Sequence, residues 1–168
     1  LATPSAPTVD RRRREWRALG ARLGGVAPPV MGRALITLDT SALYALLDRR
    51  DRDHLAVRGA LERDGGPFVV PVGILAEIGY LTERRLGRHA LDALLEDLET
   101  GAYSLDDALA DDLPRIRALT HRYADLPLGF ADAAVVACAE RNAGRVLTLD
   151  DDFAVVAREG TIVVVATA

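Results

Sequence analysis

The sequence predicts a three-layer α/β/α domain, with a short and mainly parallel central sheet covered by helices on both faces. Short apolar runs, rich in Val, Ile and Leu, alternate with longer segments whose apolar residues recur at helical spacing. The short runs lack the polar–apolar alternation of a strand with one face in water, as is typical of parallel strands. Strands that alternate with helices in this way form βαβ units.

Local signals predict the individual elements in order along the chain. The apolar residues of 40–50 recur at helical spacing, and Gly65 with Gly66 ends the helix that follows. Pro71 suits the start of a helix, where its missing N–H costs nothing, and Pro127 separates two later helices. The strands are predicted over residues 34–39, 67–70, 102–105, 145–150 and 161–167, and the helices over residues 40–50, 51–66, 71–86, 88–99, 107–124, 130–142 and 152–158.

Composition excludes several classes of protein. At 168 residues the chain fits one domain. Lysine is absent, which argues against Walker-A nucleoside triphosphatases, haloacid-dehalogenase-like phosphatases and response-regulator receivers, because each of these uses a lysine. The single cysteine, Cys138, excludes an internal disulfide and a thiolate zinc site. No apolar run approaches the ~20 residues of a membrane span, so we expect a cytoplasmic protein without membrane contact.

The first 33 residues differ from the rest in charge and composition. They hold seven arginines against two acidic residues, a net charge of +5, whereas residues 34–168 hold 14 arginines against 23 acidic residues, a net charge of −9. We therefore predict a basic, Pro- and Gly-rich extension over 1–33 and one domain over 34–168. Met31 is the only methionine, so one hypothesis places the natural start there and the other treats 1–33 as a basic arm.

Four acidic residues lie where such a fold can bring them together. Asp39 and Asp150 each end an apolar strand-like run, and ligand sites of parallel sheets lie at the carboxyl ends of the strands. Glu77 and Asp132 each interrupt an apolar helical run, where a lone carboxylate is costly to bury. Converging carboxylates raise one another's pKa unless a cation lies among them, and hard oxygen ligands favour Mg²⁺ or Mn²⁺. The pattern therefore predicts a metal-dependent site.

Each of these acidic residues also has an ordinary structural interpretation. Asp39 can be a helix N-cap, and Asp132 can stabilise a helix N-terminus through the helix dipole. Glu77 can be a partly exposed helix residue, and Asp150 lies in a DDD run that readily forms a turn. The occurrence of all four in one chain favours a shared site over four separate structural roles.

The histidines and the cysteine are not expected in a site. His54, His89 and His121 lie in polar, helical surroundings without the spacing of a metal-binding pair, so we predict them on the surface. Cys138 lies among Ala and Val on a helix, which is typical of small core residues.

Three segments of the chain resemble the PIN-domain ribonucleases, and more closely the VapC-type toxins of bacterial toxin–antitoxin pairs. They are LDTSALYALLDRRDRDH, PVGILAEIGYLTERRLG and YADLPLGFADAAVVACAERNAGRVLTLDDDF, which lie within residues 35–153. Each segment alone is a weak signal, whereas the ordered set with matching spacing is specific. The resemblance implies a PIN-like fold for the domain.

The resemblance also implies roles for the acidic residues and their neighbours. It matches Asp39, Glu77, Asp132 and Asp150 to the family's metal-binding acids, so these four are the candidate catalytic residues and metal ligands. Asp39 and Asp132 would be the principal ligands. Glu77 would complete the ligand set or hold a water, and Asp150 would serve a second ion or its water. The implied supporting residues are Thr40 and Ser41, whose hydroxyls would orient the first carboxylate, Thr148, the threonine of the last motif, and Asp152, an alternative ligand.

The activity implied by the resemblance is hydrolysis of RNA phosphodiester bonds with Mg²⁺ or Mn²⁺ as cofactor. The leading hypothesis is an endoribonuclease toxin, held inactive by a cognate antitoxin protein and assembled as a homodimer. Two alternatives remain: a non-catalytic PIN-type module that binds RNA or metal, and a housekeeping nuclease of RNA processing.

Overall fold

The computed structural model describes residues 35–167, so the predicted extension over 1–33 lies outside the described residues. A 3₁₀ turn, Val72–Ile74, precedes the third helix. In chain order the other elements are β1 (Ile36–Leu38), α1 (Thr40–Leu47), α2 (His54–Asp64), β2 (Phe68–Pro71), α3 (Leu75–Leu86), α4 (Arg88–Glu99), β3 (Ser104–Asp106), α5 (Leu109–Arg122), α6 (Phe130–Arg141), β4 (Arg145–Leu147), α7 (Asp152–Ala157) and β5 (Val163–Val164).

The five strands of the described region form one parallel sheet in the order β3-β2-β1-β4-β5. At its centre Thr37 of β1 pairs with Val69 of β2 on one side and with Val146 of β4 on the other. Every residue of β1 is fully buried, which requires cover on both faces of the sheet. The predicted parallel α/β architecture is therefore confirmed.

Helix α6 is buried along its centre and packs against β1, β2, β4 and α5. Its run of alanine, valine and cysteine, residues 133–139, is buried at every position, because small side chains let the helix approach the sheet closely. Cys138 is among these residues, as predicted for a core cysteine. Helices α1, α2, α3 and α4 pack against one another as a second group.

The predicted element boundaries were right for α4 and too wide for several other elements. Strand β4 ends at Leu147 rather than at residue 150, so Asp150 lies beyond the strand. Pro71 ends β2 instead of starting a helix, and the 3₁₀ turn after it moves the start of α3 to Leu75. Glu77 consequently lies in the first turn of α3, not in the interior of the longer helix predicted over residues 71–86.

Gly73 allows the 3₁₀ turn to lie directly against α6. A Cβ atom at this position would be 2.7 Å from the Cβ of Ala134, closer than two carbon atoms can approach. Leu109 and Phe130 close the same space from two other sides. The absence of a side chain at Gly73 thus sets the distance between the start of α3 and the first turns of α6.

The prediction that all three histidines lie on the surface was wrong for His54. Its ring is 4% exposed, and its Nδ1 lies 2.9 Å from the carbonyl oxygen of Ala45. His89 and His121 are exposed, as expected. Within residues 35–167 no helix is both long enough and apolar enough to cross a bilayer.

Candidate metal centre

Asp39 is a buried carboxylate held at the carboxyl end of β1. Its backbone N–H donates to the carbonyl of Leu147 at 3.0 Å, which extends the β1–β4 pairing by one residue. It is also the N-cap of α1, where its Oδ2 accepts from Ser41 N at 3.3 Å. The side chain is 3% exposed and therefore needs hydrogen-bond donors or a cation to be stable as an anion.

Two hydroxyl groups supply those donors. Ser41 Oγ donates to Asp39 Oδ2 at 2.6 Å, and Thr148 Oγ1 donates to the same oxygen at 2.8 Å. The hydroxyls are themselves fixed by backbone N–H groups, since Ser41 Oγ accepts from Leu149 and Thr148 Oγ1 accepts from Asp150. All the donors converge on Oδ2, and no described residue donates to Oδ1. One oxygen of Asp39 is thus anchored, while the other is available to a ligand.

Asp132 lies in the first turn of α6, where its Oδ2 accepts from the N–H of Gly129 at 2.8 Å. Burial raises its pKa to about 6, the Gly129 N–H opposes the rise, and the charges of Asp39, Asp150 and Glu77 add to it. The other three predicted carboxylates therefore all act electrostatically on Asp132. The fold brings together four residues that lie as far as 111 positions apart in the chain.

Glu77 lies at the exposed edge of this group, in the first turn of α3. Although much of the residue is in solvent, partial burial of its carboxyl group raises its pKa, and the charge of Asp39 raises it further. The Thr40 hydroxyl offsets part of that rise. Glu77 and Asp39 are thus close enough to repel each other, as ligands of a common cation would be.

Thr40 does not have the role that the sequence predicted for it. We expected its hydroxyl to orient Asp39 together with Ser41, but Thr40 Oγ1 is buried, makes no hydrogen bond to Asp39, and lowers the pKa of Glu77 instead. Ser41 and Thr148 are the residues that hold Asp39. Successive side chains of a helix point about 100° apart, so only one of the two neighbouring hydroxyls reaches the carboxylate.

Asp150, rather than Asp152, lies within electrostatic reach of Asp132. Asp150 is exposed, and its Oδ1 accepts from the N–H of Asp152 at 2.9 Å, which starts α7. The turn expected for the DDD run is therefore present. The charge of Asp150 also contributes to the raised pKa of Asp132. Asp152 contributes its backbone N–H to this turn. Within residues 35–167 no hydrogen bond joins its carboxylate to the other acidic side chains.

The four carboxylates have the chemistry of a hard divalent cation site, although they are not drawn tightly together. Within residues 35–167 no three acidic, histidine or cysteine side chains lie close enough to hold a metal ion in their present positions. A cation among these carboxylates would relieve the repulsion that contributes to the raised pKa of Asp132. The donor set of four carboxylates with no histidine or cysteine matches Mg²⁺ or Mn²⁺ and not a soft metal.

Two contributors to the site were not predicted from the sequence. The N–H of Leu149 fixes Ser41 Oγ at 2.9 Å, and any residue type would supply that donor, so no sequence signal marks it. Gly73 brings α6 against the turn that leads to Glu77. A glycine between a strand and a helix is a sequence signal for such a close approach of the backbone.

Comparisons with known proteins agree with this architecture. A family model described as PIN domain matches residues 36–159. Ribonuclease VapC26 of Mycobacterium tuberculosis is 37% identical over 114 residues, which cover 67% of this chain and 84% of that protein. The crystal structure of the VapC20 toxin of Mycobacterium tuberculosis, described as cleaving the sarcin-ricin loop, superposes with a TM-score of 0.66 at 21% identity, covering 72% of this chain and 94% of that one.

Proposed function

Because the chain belongs to the PIN domain family, we propose that it is a toxin endoribonuclease that hydrolyses RNA phosphodiester bonds with a divalent metal ion. The observation that carries the proposal is that Asp39, Glu77 and Asp150 all act on the carboxylate of Asp132. The similarity to a protein named ribonuclease, over two thirds of this chain, supports RNA as the substrate. The fold it shares with the VapC20 toxin agrees with this assignment.

The proposed ligands of the ion are Asp39 and Asp132, with Glu77 and Asp150 beside them. Mg²⁺ or Mn²⁺ bound here would activate a water and neutralise charge that develops on the phosphate. Asp39 can serve as a ligand through Oδ1 because its Oδ2 is already held by Ser41 and Thr148. A carboxylate with one anchored oxygen does not need to be ordered again when the ion binds, so less entropy is lost on binding.

Glu77 is the proposed acceptor for the attacking water. It lies at the exposed edge, where RNA would enter, and its raised pKa makes it a better proton acceptor than an ordinary glutamate. Hydrolysis forms one P–O bond to the water oxygen and breaks the P–O bond to the leaving ribose oxygen. The acidic surface would repel the RNA backbone, so divalent ions must offset this charge before a phosphate can approach.

We also infer two protein partners. An inhibitory antitoxin would exploit the same carboxylates by offering an arginine or lysine side chain that competes with the metal. A homodimer is supported by exposed apolar side chains on the α3–α4 hairpin, where Tyr80 is 63% and Leu95 is 55% exposed. Light scattering of Tyr80→Glu and Leu95→Glu variants tests the dimer, because a shift from dimer to monomer is expected for at least one of them.

Controlled expression of the full chain in bacterial cells tests the proposed function. We expect induction to arrest growth and to produce discrete cuts in cellular RNA, and we expect Asp39→Asn to abolish both effects. Asp125→Asn is the matched control, since Asp125 is an exposed turn residue outside the site. RNA cuts without arrest would instead identify a housekeeping nuclease. Neither cuts nor arrest, from a protein that accumulates and is folded, would favour a non-catalytic module.

A further inference from the structure

Arg85 of α3 lies over the aromatic ring of Tyr44 of α1, where these two helices pack together. The guanidinium carbon is 5.7 Å from the centroid of the ring, within the ~6 Å of a cation–π contact. Tyr44 is half-buried and packs against the core, whereas Arg85 is exposed. The ring is therefore a fixed surface that holds the guanidinium at one place on the outside of the domain.

The guanidinium of Arg85 forms no ion pair and no hydrogen bond within residues 35–167. Other arginines of this acidic domain donate to carboxylates at short distances, as Arg115 and Arg141 do. Neither of the residues one turn before Arg85 on α3 is acidic, so its own helix offers it no carboxylate at that spacing. Its N–H donors are thus available to an anion from outside the described part of the chain.

The Arg85–Tyr44 pair lies a short way along two helices that begin at the carboxylates. Asp39 is the N-cap of α1, and Glu77 is in the first turn of α3. Tyr44 and Arg85 follow them by five and eight residues, which are rises of about 8 Å and about 12 Å along the helices. A nucleic-acid strand with one phosphate per about 3.4 Å of axis covers such a distance within about four nucleotides.

A guanidinium that is stacked on a ring and keeps free N–H groups is suited to bind a phosphate. It presents a planar fork of donors that matches phosphate oxygens, and the stacking reduces the rotamer entropy that is lost when the phosphate binds. Such a cation is also needed here, because residues 34–168 carry a net charge of −9 and repel an RNA backbone.

We propose that Arg85, held in place by Tyr44, binds a backbone phosphate of the RNA strand beside the segment that is cleaved. Arg85 is then a substrate-binding residue, and Tyr44 is a positioning residue that acts through it. The inference rests on the proposed ribonuclease function and adds a contact outside the carboxylate site. A carboxylate of a protein partner has related chemistry, but the start of both helices at the site favours the RNA phosphate.

Binding of a fluorescein-labelled single-stranded RNA of mixed sequence to the full chain, followed by fluorescence anisotropy at several salt concentrations, tests this contact. An Asp39→Asn background with Mg²⁺ keeps the RNA uncut. Arg85→Gln should lower affinity about tenfold and reduce the slope of log Kd against log salt concentration by about 0.7, the value for one phosphate contact on a single strand. Arg85→Lys keeps the charge and should keep most of the slope. The seven arginines of residues 1–33 are present in every variant, so differences between variants report on Arg85.

Arg117→Gln is the matched control for the loss of one charge. Arg117 is exposed on α5, and its side chain also has no ion pair within the described region, so we expect the salt slope and the affinity to stay unchanged. Tyr44→Phe keeps the ring and should bind RNA like the unchanged protein. Tyr44→Leu should lose about threefold in affinity, the strength of an exposed cation–π contact. Thermal unfolding shows that each variant is folded.

Cleavage kinetics on one RNA that the unchanged protein cuts give a second readout. Arg85→Gln, with Asp39 intact, should raise KM about tenfold and leave kcat within about twofold, because a contact away from the reacting phosphate holds the substrate and the transition state alike. An unchanged salt slope and KM would overturn the inference, leave the nuclease intact and point to a protein partner for this pair. Failure of the unchanged protein to bind or cut RNA would overturn the proposed function together with the inference.

Discussion

Thr148 Oγ1 donates a hydrogen bond to Asp39 Oδ2 at 2.8 Å, joining residues that are 109 positions apart in the chain. Asp39 follows β1 and Thr148 follows β4, and these strands are neighbours in the parallel sheet. The bond therefore exists only when the sheet has formed. It links the stability of the fold to the orientation of the carboxylate that we propose as a principal metal ligand.

The first prediction concerns this bond. Thr148→Val should lower the free energy of unfolding by about 1.5–3 kcal/mol, because a buried carboxylate loses one of its few donors and a hydrogen bond to a charged group is of that strength. Thr148→Ser keeps the hydroxyl and should lose less than about 1 kcal/mol. Urea denaturation of the metal-free protein measures both changes. Equal stability of the valine variant and the unchanged protein would contradict the assigned contact.

The second prediction follows from the pKa of Asp132, which is raised from 3.8 to about 6. The folded chain binds a proton there that the unfolded chain has released, so the contribution of this group is fully present below about pH 4 and is lost as the pH rises through about 6. Without metal, Asp132→Asn should therefore stabilise the protein by about 1 kcal/mol at pH 7.5, a value reduced because the carboxyl group is partly solvated.

The difference between Asp132→Asn and the unchanged protein should shrink towards zero between pH 6 and pH 4, where the aspartate becomes neutral. Unfolding measured in EDTA across this range checks the direction. Asp125→Asn, in an exposed turn, should show no such trend. A difference that grows as the pH falls would mean that burial and the neighbouring carboxylates do not raise the pKa of Asp132.

The third prediction tests the close approach at Gly73. Gly73→Ala should destabilise the protein by about 1–3 kcal/mol, because its Cβ would overlap that of Ala134, and neither atom belongs to a flexible side chain. Gly79→Ala is the matched control in α3: its nearest neighbour lies at 3.9 Å, so the higher helix propensity of alanine should be neutral or stabilising. Similar stability of the two variants would contradict the packing of α6 against the 3₁₀ turn.

The fourth prediction concerns Arg141, which ends α6 and pairs with both Asp106 and Asp112. Arg141→Met should cost about 2 kcal/mol at pH 7, because it leaves two largely buried carboxylates without their cation. Arg141 is also the main reason that the pKa of Asp106 lies below 3.8, so this stability is present above about pH 4 and is lost as the pH falls further.

Denaturation at pH 7 and pH 3 separates this effect from a simple loss of packing. The cost of Arg141→Met should be smaller at pH 3, where the carboxylates begin to bind protons. Arg117→Met, at an exposed position of α5, should change stability by less than about 0.5 kcal/mol at either pH. A cost for Arg141→Met that is the same at both pH values would indicate that the arginine acts through its packing alone.

The sequence predicted the sheet, and the placement of two of the acids beyond the ends of its strands, because both depend on regular features. Uniformly apolar strands indicate a sheet that is buried on both faces. Parallel strands place their carboxyl ends at one edge of the sheet, and this rule predicted the positions of Asp39 and Asp150. The expected helix N-terminus near Asp132 is also present. The roles of these residues as metal ligands stay a prediction.

Other details depend on tertiary contacts that no local pattern encodes. Pro71 satisfies the rules for the end of a strand as well as for the start of a helix, and only its pairing with Asp106 of β3 selects the strand. Thr40 and Ser41 are equivalent as neighbours of Asp39, and the direction of α1 decides which hydroxyl reaches it. His54 has polar neighbours in sequence, yet the packing of α2 against α1 brings its ring to the carbonyl of Ala45.

Cleavage of a mixed RNA pool by the purified full chain, with Mg²⁺, with Mn²⁺ and with EDTA, tests whether these carboxylates form a metal-dependent nuclease site. Asp39→Asn, Asp132→Asn and the control Asp125→Asn are assayed beside it. We expect discrete cuts that require a metal ion, disappear in the two site variants and persist in the control. Cuts that persist in EDTA, or in Asp39→Asn and Asp132→Asn, would contradict the assignment of a metal-dependent nuclease to these carboxylates.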